Sequence, residues 1–266
     1  MSANNCRDVL RRWLVPLLPF ALFALLYSSM NLLPNYRVRP VDIEGVYTLE
    51  RRLFPLSATG IEGAEGVYST NGKVTPCEWC YVHHTTTLDL LSGCFYLLWV
   101  PLPILFCIFL CGQRQSRWAL RFSCAFLTVN IVGFIGYYLH PSAPPWYVMF
   151  FGTEFHPDTP GNMAGFARFD ALTGTRIFHS IYEKNTNVFA AIPSLHAAYN
   201  PVAAYYAWRS GHRRAWFPVL CIVSAGICLS AVYSAHHYVI DVFLGLLTAL
   251  IGITLFERCA PRRAPL

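Results

Sequence analysis

The chain is written as apolar runs long enough to cross a lipid bilayer, joined by links that carry arginines, and that alternation leaves it few possible folds. A hydrocarbon core about 30 Å thick takes roughly 20 apolar residues as a helix, because the backbone must satisfy its own polar groups there. Runs of that kind occupy residues 13–33, 88–111, 118–139, 192–208, 215–233 and 238–256. Pro101 and Pro103 interrupt the second, which a membrane helix accommodates with a kink. With 55% hydrophobic and only 13% charged residues, a water-soluble fold would aggregate. The expectation is an all-α, polytopic membrane protein of six transmembrane helices, read as a single domain over residues 1–266.

The basic residues orient these spans. Arg7, Arg11 and Arg12 precede the first, Arg114, Arg117 and Arg121 follow the second, Arg209, Arg213 and Arg214 follow the fourth, and Arg258, Arg262 and Arg263 follow the sixth. These are 12 of the 20 Lys and Arg, with only Asp8 and Glu257 among them. Cationic loops stay on the cytoplasmic side, so both termini are expected there. The first run is long for a signal peptide and lacks a small-x-small cleavage site, so it reads as a retained anchor. Val46–Phe54 (VYTLERRLF) is amphipathic at helical spacing and reads as a helix lying along the membrane surface.

This orientation brings two histidines together. His196 opens the fourth span in AAIPSLHAAY, with Pro193 suited to the helix's first turn, and His237 opens the sixth in SAHHYVIDVF. Asp241 lies four residues beyond His237, on the same helical face. An acid inside an apolar segment is expensive and marks a functional site. Two imidazoles and a carboxylate suffice for phosphoryl transfer without a metal. One imidazole attacks phosphorus, the carboxylate fixes its tautomer, and the other imidazole protonates the leaving alkoxide. Alternatively, a His/Asp pair only pins two helices.

IPSLHAAY and HHYVIDV resemble the second and third signature motifs of the PAP2 (type 2 phosphatidic acid phosphatase) superfamily of lipid phosphatases and phosphotransferases. YRVRPVDIEGVYTLERRLF, APPWYVMFFG and PGNMAGFARFDALTG are similar to successive stretches of the inositol phosphorylceramide synthases of fungi and some bacteria. The likeness runs from about residue 36 to residue 245. It implies a PAP2-like helical core and a transferase that moves phosphoinositol from a phospholipid donor, phosphatidylinositol, to a ceramide acceptor. Diacylglycerol would leave and a phosphohistidine would form on His237, oriented by Asp241, with His196 as acid and then base. No cofactor and no metal are implied. Two departures matter: Ala231 stands where the phosphatases carry an Arg beside Ser230, and Leu32 replaces the Lys that precedes Arg39 in their first motif. Fewer cations suit a phosphodiester monoanion better than a phosphomonoester. The alternatives are a PAP2-type lipid phosphatase and a non-catalytic transporter or scaffold.

Six further residues are candidates for the substrate. Arg168 steadies the phosphate or forms a loop salt bridge; Asp170 holds that arginine or an inositol hydroxyl. Arg39 reaches the head group or meets interfacial lipid phosphate. Tyr147, beside Trp146, and Tyr238 belong to the interfacial aromatic belt or line a lipid path. Asp89, near His83 and His84, complements a helix dipole or binds inositol hydroxyls, and His236 shapes the site beside His237. Cys77 and Cys80 (CEWC) close a small disulfide in an oxidising compartment, or join a histidine in a metal site. No Walker, dinucleotide-binding or nucleic-acid motif is present. The expected location is a bacterial cytoplasmic membrane, or a Golgi membrane in a eukaryote, with the histidines on the extracytoplasmic or lumenal face.

Overall fold

A computed structural model describes residues 9–183 and 187–260. Arg7, Asp8, Arg262 and Arg263, which helped set the expected orientation, lie outside the described residues. The chain is mostly helical. In order it forms α1 (Val15–Ser29), α2 (Glu44–Leu53), β1 (Leu56–Ser57), β2 (Lys73–Val74), α3 (Pro76–Val82) and α4 (Thr86–Tyr96). Then come α5 (Pro101–Gly112), α6 (Ser116–Leu139), α7 (Pro145–Phe151), α8 (Ala167–Thr173), α9 (Ile177–Tyr182), α10 (Leu195–Arg209), α11 (Trp216–Tyr233) and α12 (Val239–Cys259). A π-helical turn, Leu10–Leu14, and a 3-10 turn, Met30–Leu32, extend α1 at either end. The two strands pair antiparallel as a small ribbon.

Among the described residues, four helices are long and apolar enough to cross a membrane: Leu10–Leu32, Ser116–Leu139, Trp216–Tyr233 and Val239–Cys259. They turn bulky apolar side chains outward, among them Leu25, Ile222, Leu229 and Leu250, each more than half exposed. No water-soluble surface gathers so many, and the arrangement is that of an integral membrane protein. The second apolar run is not one kinked helix. It is two, α4 and α5, bent by 44° at a short break. Pro101 explains the break, since it has no N–H to donate and its ring crowds the carbonyl one turn back. The fourth run forms α10, only 15 residues long and starting at Leu195. Ser194 takes the N-cap position, so Pro193 lies just before the first turn and not in it.

The centre of the bundle is α10, which packs on α6, α11 and α12, while α6 also carries α1 and α12. Aromatic rings fill the contact, with Phe20, Phe23, Phe126 and Tyr199 mutually edge-on or tilted. Tyr199 also donates its hydroxyl proton to Asn130 Oδ1, so the two polar groups buried at this crossing satisfy each other. Two glycines set how closely α12 approaches. A Cβ on Gly245 would stand 2.1 Å from the Ser194 carbonyl oxygen, and one on Gly252 would stand 2.8 Å from Val129 Cα. With the helices in backbone contact, the Ser194 amide donates to the Asp241 carbonyl at 3.0 Å. The start of α10 is thereby tied to the start of α12.

Candidate active site

His196 is the second residue of α10, and His237 lies two residues before α12. Their rings meet: His196 Nδ1 and His237 Nε2 are 3.0 Å apart. On its far side, His237 Nδ1 lies 3.4 Å from Asp241 Oδ2. The same carboxylate oxygen accepts from the Tyr238 amide at 2.9 Å, so Asp241 caps its own helix while facing the imidazole. A carboxylate against Nδ1 favours the tautomer protonated there, leaving the Nε2 lone pair directed at the Nδ1–H of His196. Burial pulls the His237 pKa down to about 4, so the ring is neutral near pH 7. A neutral imidazole with a fixed, outward lone pair is a nucleophile.

The loop that carries His237 is clamped from all sides. Amides of His236 and His237 both donate to Ala231 O, Gly165 N donates to Ser234 O, and Trp146 N donates to Ala235 O. Cys77 Sγ donates to the His237 carbonyl at 3.3 Å. Ala235 sits at φ 60°, a left-handed conformation that a residue with a side chain adopts only when its surroundings impose it. His236 shapes the site by stacking between Phe166 and Tyr182 and directing Nε2 to Met163 O at 2.8 Å. Burial lowers its pKa to about 3, so it is a neutral wedge.

Glu50, on α2, completes the assembly and was not expected from the sequence. It is wholly buried, and its two carboxylate oxygens accept from the amides of Val239 and Ile240 at 2.9 and 3.1 Å. These are orphan donors of the first turn of α12, so Glu50 caps the helix that holds Asp241. Burial, and to a lesser extent the charge of Asp241, raises its pKa to about 7 against the pull of the two amides. The sequence held one signal: Glu50 follows Val46 by four residues and Tyr47 by three, which puts it on their helical face, and all three are buried.

A cavity of about 590 Å³ opens in front of the histidines, with His196, His236 and His237 at its polar end. Its walls are rich in aromatic rings: Phe23, Tyr27, Tyr96, Trp99, Tyr137, Trp146, Phe178, Tyr182 and Tyr199. Trp99 and Tyr96 pack on the His196 ring at 4.4 and 4.9 Å. Among the described residues that line it, there is no Arg, Lys, Asp or Glu.

The structure thus brings His196, His237 and Asp241 together, and it places the other sequence candidates elsewhere. Arg168 Nε donates to Asp89 Oδ1 at 2.7 Å, Tyr233 donates to the same oxygen at 2.9 Å, and His84 Nδ1 lies 3.4 Å from Asp89 Oδ2. The Arg168 guanidinium lies between the rings of Tyr81 and Tyr233. Among the described residues its buried Nη2 has no hydrogen-bond partner. Asp170 does not hold Arg168. It accepts from the amides of Phe178 and His179 and so caps α9. Tyr147 is buried, donating to Glu154 O and accepting from His156 N. It is not among the residues lining the cavity in front of the histidines, whereas its neighbour Trp146 is. Tyr238 is fully buried behind the site, and Arg39 is exposed, donating to Leu139 O. Cys77 and Cys80 share α3 as separate thiols, and burial pushes both up. Among the described residues no group of three or more His, Cys, Asp or Glu is placed to hold a metal ion.

A family model described as the PAP2 superfamily matches residues 76–255, a stretch that includes His196, His237 and Asp241. The chain belongs to the PAP2 superfamily. Its similarity to curated proteins reaches beyond that stretch. Phosphoinositol dihydroceramide synthase of Bacteroides thetaiotaomicron is 48% identical over 247 residues, covering 93% of this chain and 77% of that protein. Catalytic subunits of inositol phosphorylceramide synthase from Schizosaccharomyces pombe and Saccharomyces cerevisiae are 26% and 24% identical, over 91% and 86% of this chain. The chain spans about half the length of these two yeast proteins, 53% and 52%. No solved structure matches it. Within this PAP2 protein, α1 and Glu50 lie ahead of the residues the family model matches, yet both contribute to the site region.

Proposed function

We propose that the chain is a membrane lipid phosphotransferase, a sphingolipid synthase that moves phosphoinositol from phosphatidylinositol to the primary hydroxyl of a ceramide or dihydroceramide. The observation that carries this is the His196–His237–Asp241 array at the end of an aromatic cavity without lining charge, in a chain 48% identical to a phosphoinositol dihydroceramide synthase. Such a cavity suits an uncharged polyol and two acyl chains, with a single negative charge at the phosphodiester.

In the first half-reaction His237 Nε2 attacks phosphorus and the bond to the diacylglycerol oxygen breaks. That oxygen takes a proton from His196, which the incoming phosphodiester anion favours in its protonated form. Asp241 stabilises the cationic phosphohistidine through Nδ1. In the second, neutral His196 removes the proton from the ceramide hydroxyl, whose oxygen attacks phosphorus. The P–N bond breaks and His237 returns to its starting form. Arg168 has a buried donor, Nη2, to offer phosphate, while Asp89 holds it in place. Asp170, Tyr147, Tyr238 and Arg39 support this frame without contacting the reacting atoms.

Across the membrane, the reading is one domain of six spans, with α4 and α5 together as one and the short, buried α10 as another. α2 lies at the interface, and the histidines face the extracytoplasmic or lumenal side, opposite the arginine-bearing links. The protein reconstituted with phosphatidylinositol and a ceramide should yield inositol phosphorylceramide and diacylglycerol in equal amounts by mass spectrometry. Release of free inositol phosphate at the same rate without any ceramide would overturn transfer in favour of hydrolysis.

A further inference from the structure

At the end of the bundle opposite the histidines, α10 and α12, which carry His196 and Asp241, line with α6 a second cavity, of about 1080 Å³. His196 and Arg209 mark the two ends of α10, and Asp241 and Glu257 the two ends of α12, some 20–24 Å apart at a helical rise of about 1.5 Å per residue. Arg117, Arg121, Arg209 and Arg258 line the cavity, and among the described lining residues Glu257 is the sole acid. That carboxylate is already engaged: Arg121 donates to Oε2 at 2.8 Å, and Tyr206 donates to Oε1. Arg209 stands farther off, 3.9 Å from Oε2, with its guanidinium over the rings of Trp118 and Tyr205. Among the described lining residues, guanidiniums outnumber carboxylates four to one.

Its other wall is apolar. Leu250 and Ile253 of α12 line it, and Leu250 is 62% exposed on the flank of the helix that faces lipid. A row of arginines that served only to orient the chain would point outward into water. Here the charges converge on a concave space that continues into an exposed apolar surface, with a tryptophan and a tyrosine at its rim, where such rings favour the membrane interface. A soluble anion complements the guanidiniums but leaves that apolar wall uncovered.

We propose that this cavity is a binding site for an anionic diacyl phospholipid, distinct from the active site. Its phosphate sits among Arg117, Arg209 and Arg258, and an acyl chain lies along α12 past Ile253 and Leu250. Basic pockets between membrane helices hold acidic head groups by the same physics, each guanidinium near the surface contributing roughly a fivefold gain in affinity. The inference does not depend on which reaction the histidines catalyse.

Native mass spectrometry of the purified protein tests it, with phosphatidylglycerol as the probe in phosphatidylcholine micelles. Wild type should retain one phosphatidylglycerol. Arg117→Gln with Arg258→Gln should bind it about thirtyfold more weakly, while His237→Ala should retain it as wild type does. Thermal unfolding in phosphatidylcholine alone monitors the fold. Should the double variant unfold, Arg258→Gln alone should show about a fivefold loss. Undiminished retention in these folded arginine variants overturns the site. So does loss of retention in His237→Ala, which would place the lipid in the active cavity. Displacement of the lipid by an equal concentration of inorganic phosphate would show a simple anion site and overturn the lipid assignment.

Discussion

His196 Nδ1 and His237 Nε2 are hydrogen-bonded at 3.0 Å across 41 residues of sequence, and the bond occupies the lone pair that, in the proposed mechanism, attacks phosphorus. Substrate therefore has to enter between the rings. Phosphorus then sits against a nucleophile on one side and an acid on the other. His237→Ala should abolish both product formation and the phosphorylated protein. His196→Ala should lower turnover by about 10²–10⁴ while binding of phosphatidylinositol persists. Acid-labile, histidine-bound phosphate in quenched wild type, and its absence in His237→Ala, is the check. Wild-type turnover in His237→Ala would remove the mechanism.

The depressed pKa of His237 sets an acid limit. The folded ring takes up its proton near pH 4, whereas an unfolded histidine does so near 6.5, so between those values the unfolded chain binds more protons. Stability from this group is complete above pH 6.5 and is lost as pH falls toward 4. His237 itself stays largely neutral over the same interval. The His237 ionisation seen in the pH profile of kcat/KM should therefore lie well below 6.5. Direct titration of a labelled His237 by NMR should give a midpoint near 4.

Glu50 carries the opposite sign. Its carboxyl titrates near pH 7 when folded and near 4.5 otherwise, so folding takes up a proton between those values. Stability from this group is present below about 4.5 and is lost as pH rises through 7, by roughly 3 kcal/mol at most. Glu50→Gln retains the size and one acceptor but cannot ionise. The difference in Tm between Glu50→Gln and wild type should move in the variant's favour as pH rises from 5 to 7.5. Glu50→Ala, which uncaps Val239 and Ile240, should cost about 1–2 kcal/mol near pH 5, and that cost should shrink as pH rises, because alanine, like glutamine, does not ionise. Parallel pH profiles for wild type and Glu50→Gln would contradict this.

Much of the architecture was legible because a bilayer imposes it. The apolar runs at 118–139, 215–233 and 238–256 differ from α6, α11 and α12 by three residues or fewer at each end, since hydrocarbon thickness fixes their length. The His196, His237 and Asp241 trio was legible because topology folds two helix starts onto one face. What escaped notice depends on partners far apart in sequence: Glu50 reaches Val239 across 189 residues, and the cavity draws walls from α1, the α4–α5 break and α9. Charge misled in the opposite direction. Asp170 looked available for substrate, yet its acceptors are consumed by amides eight and nine residues away, a local cap that composition does not reveal.

Gly245 offers a test of how tightly the two histidines are coupled through the backbone. It sits one turn beyond Asp241 on α12, at the point where a Cβ would stand 2.1 Å from the Ser194 carbonyl oxygen and 3.1 Å from Ala197 Cβ. Neither obstacle is the flexible end of a side chain, so Gly245→Ala must push the start of α10 away from α12. Alanine favours the helix itself by up to about 1 kcal/mol, but forced separation of packed backbone typically costs 1–3 kcal/mol, so the net change in stability should be small or moderately unfavourable. Activity should respond far more, because His196 moves with Ser194 while His237 and Asp241 stay with α12, and a displacement near 1 Å can lower the rate about 10²-fold. Circular dichroism should show helix content preserved while transferase activity drops by at least that factor. Gly245→Ala with normal activity would mean that the approach of α10 to α12 does not set the distance between the histidines.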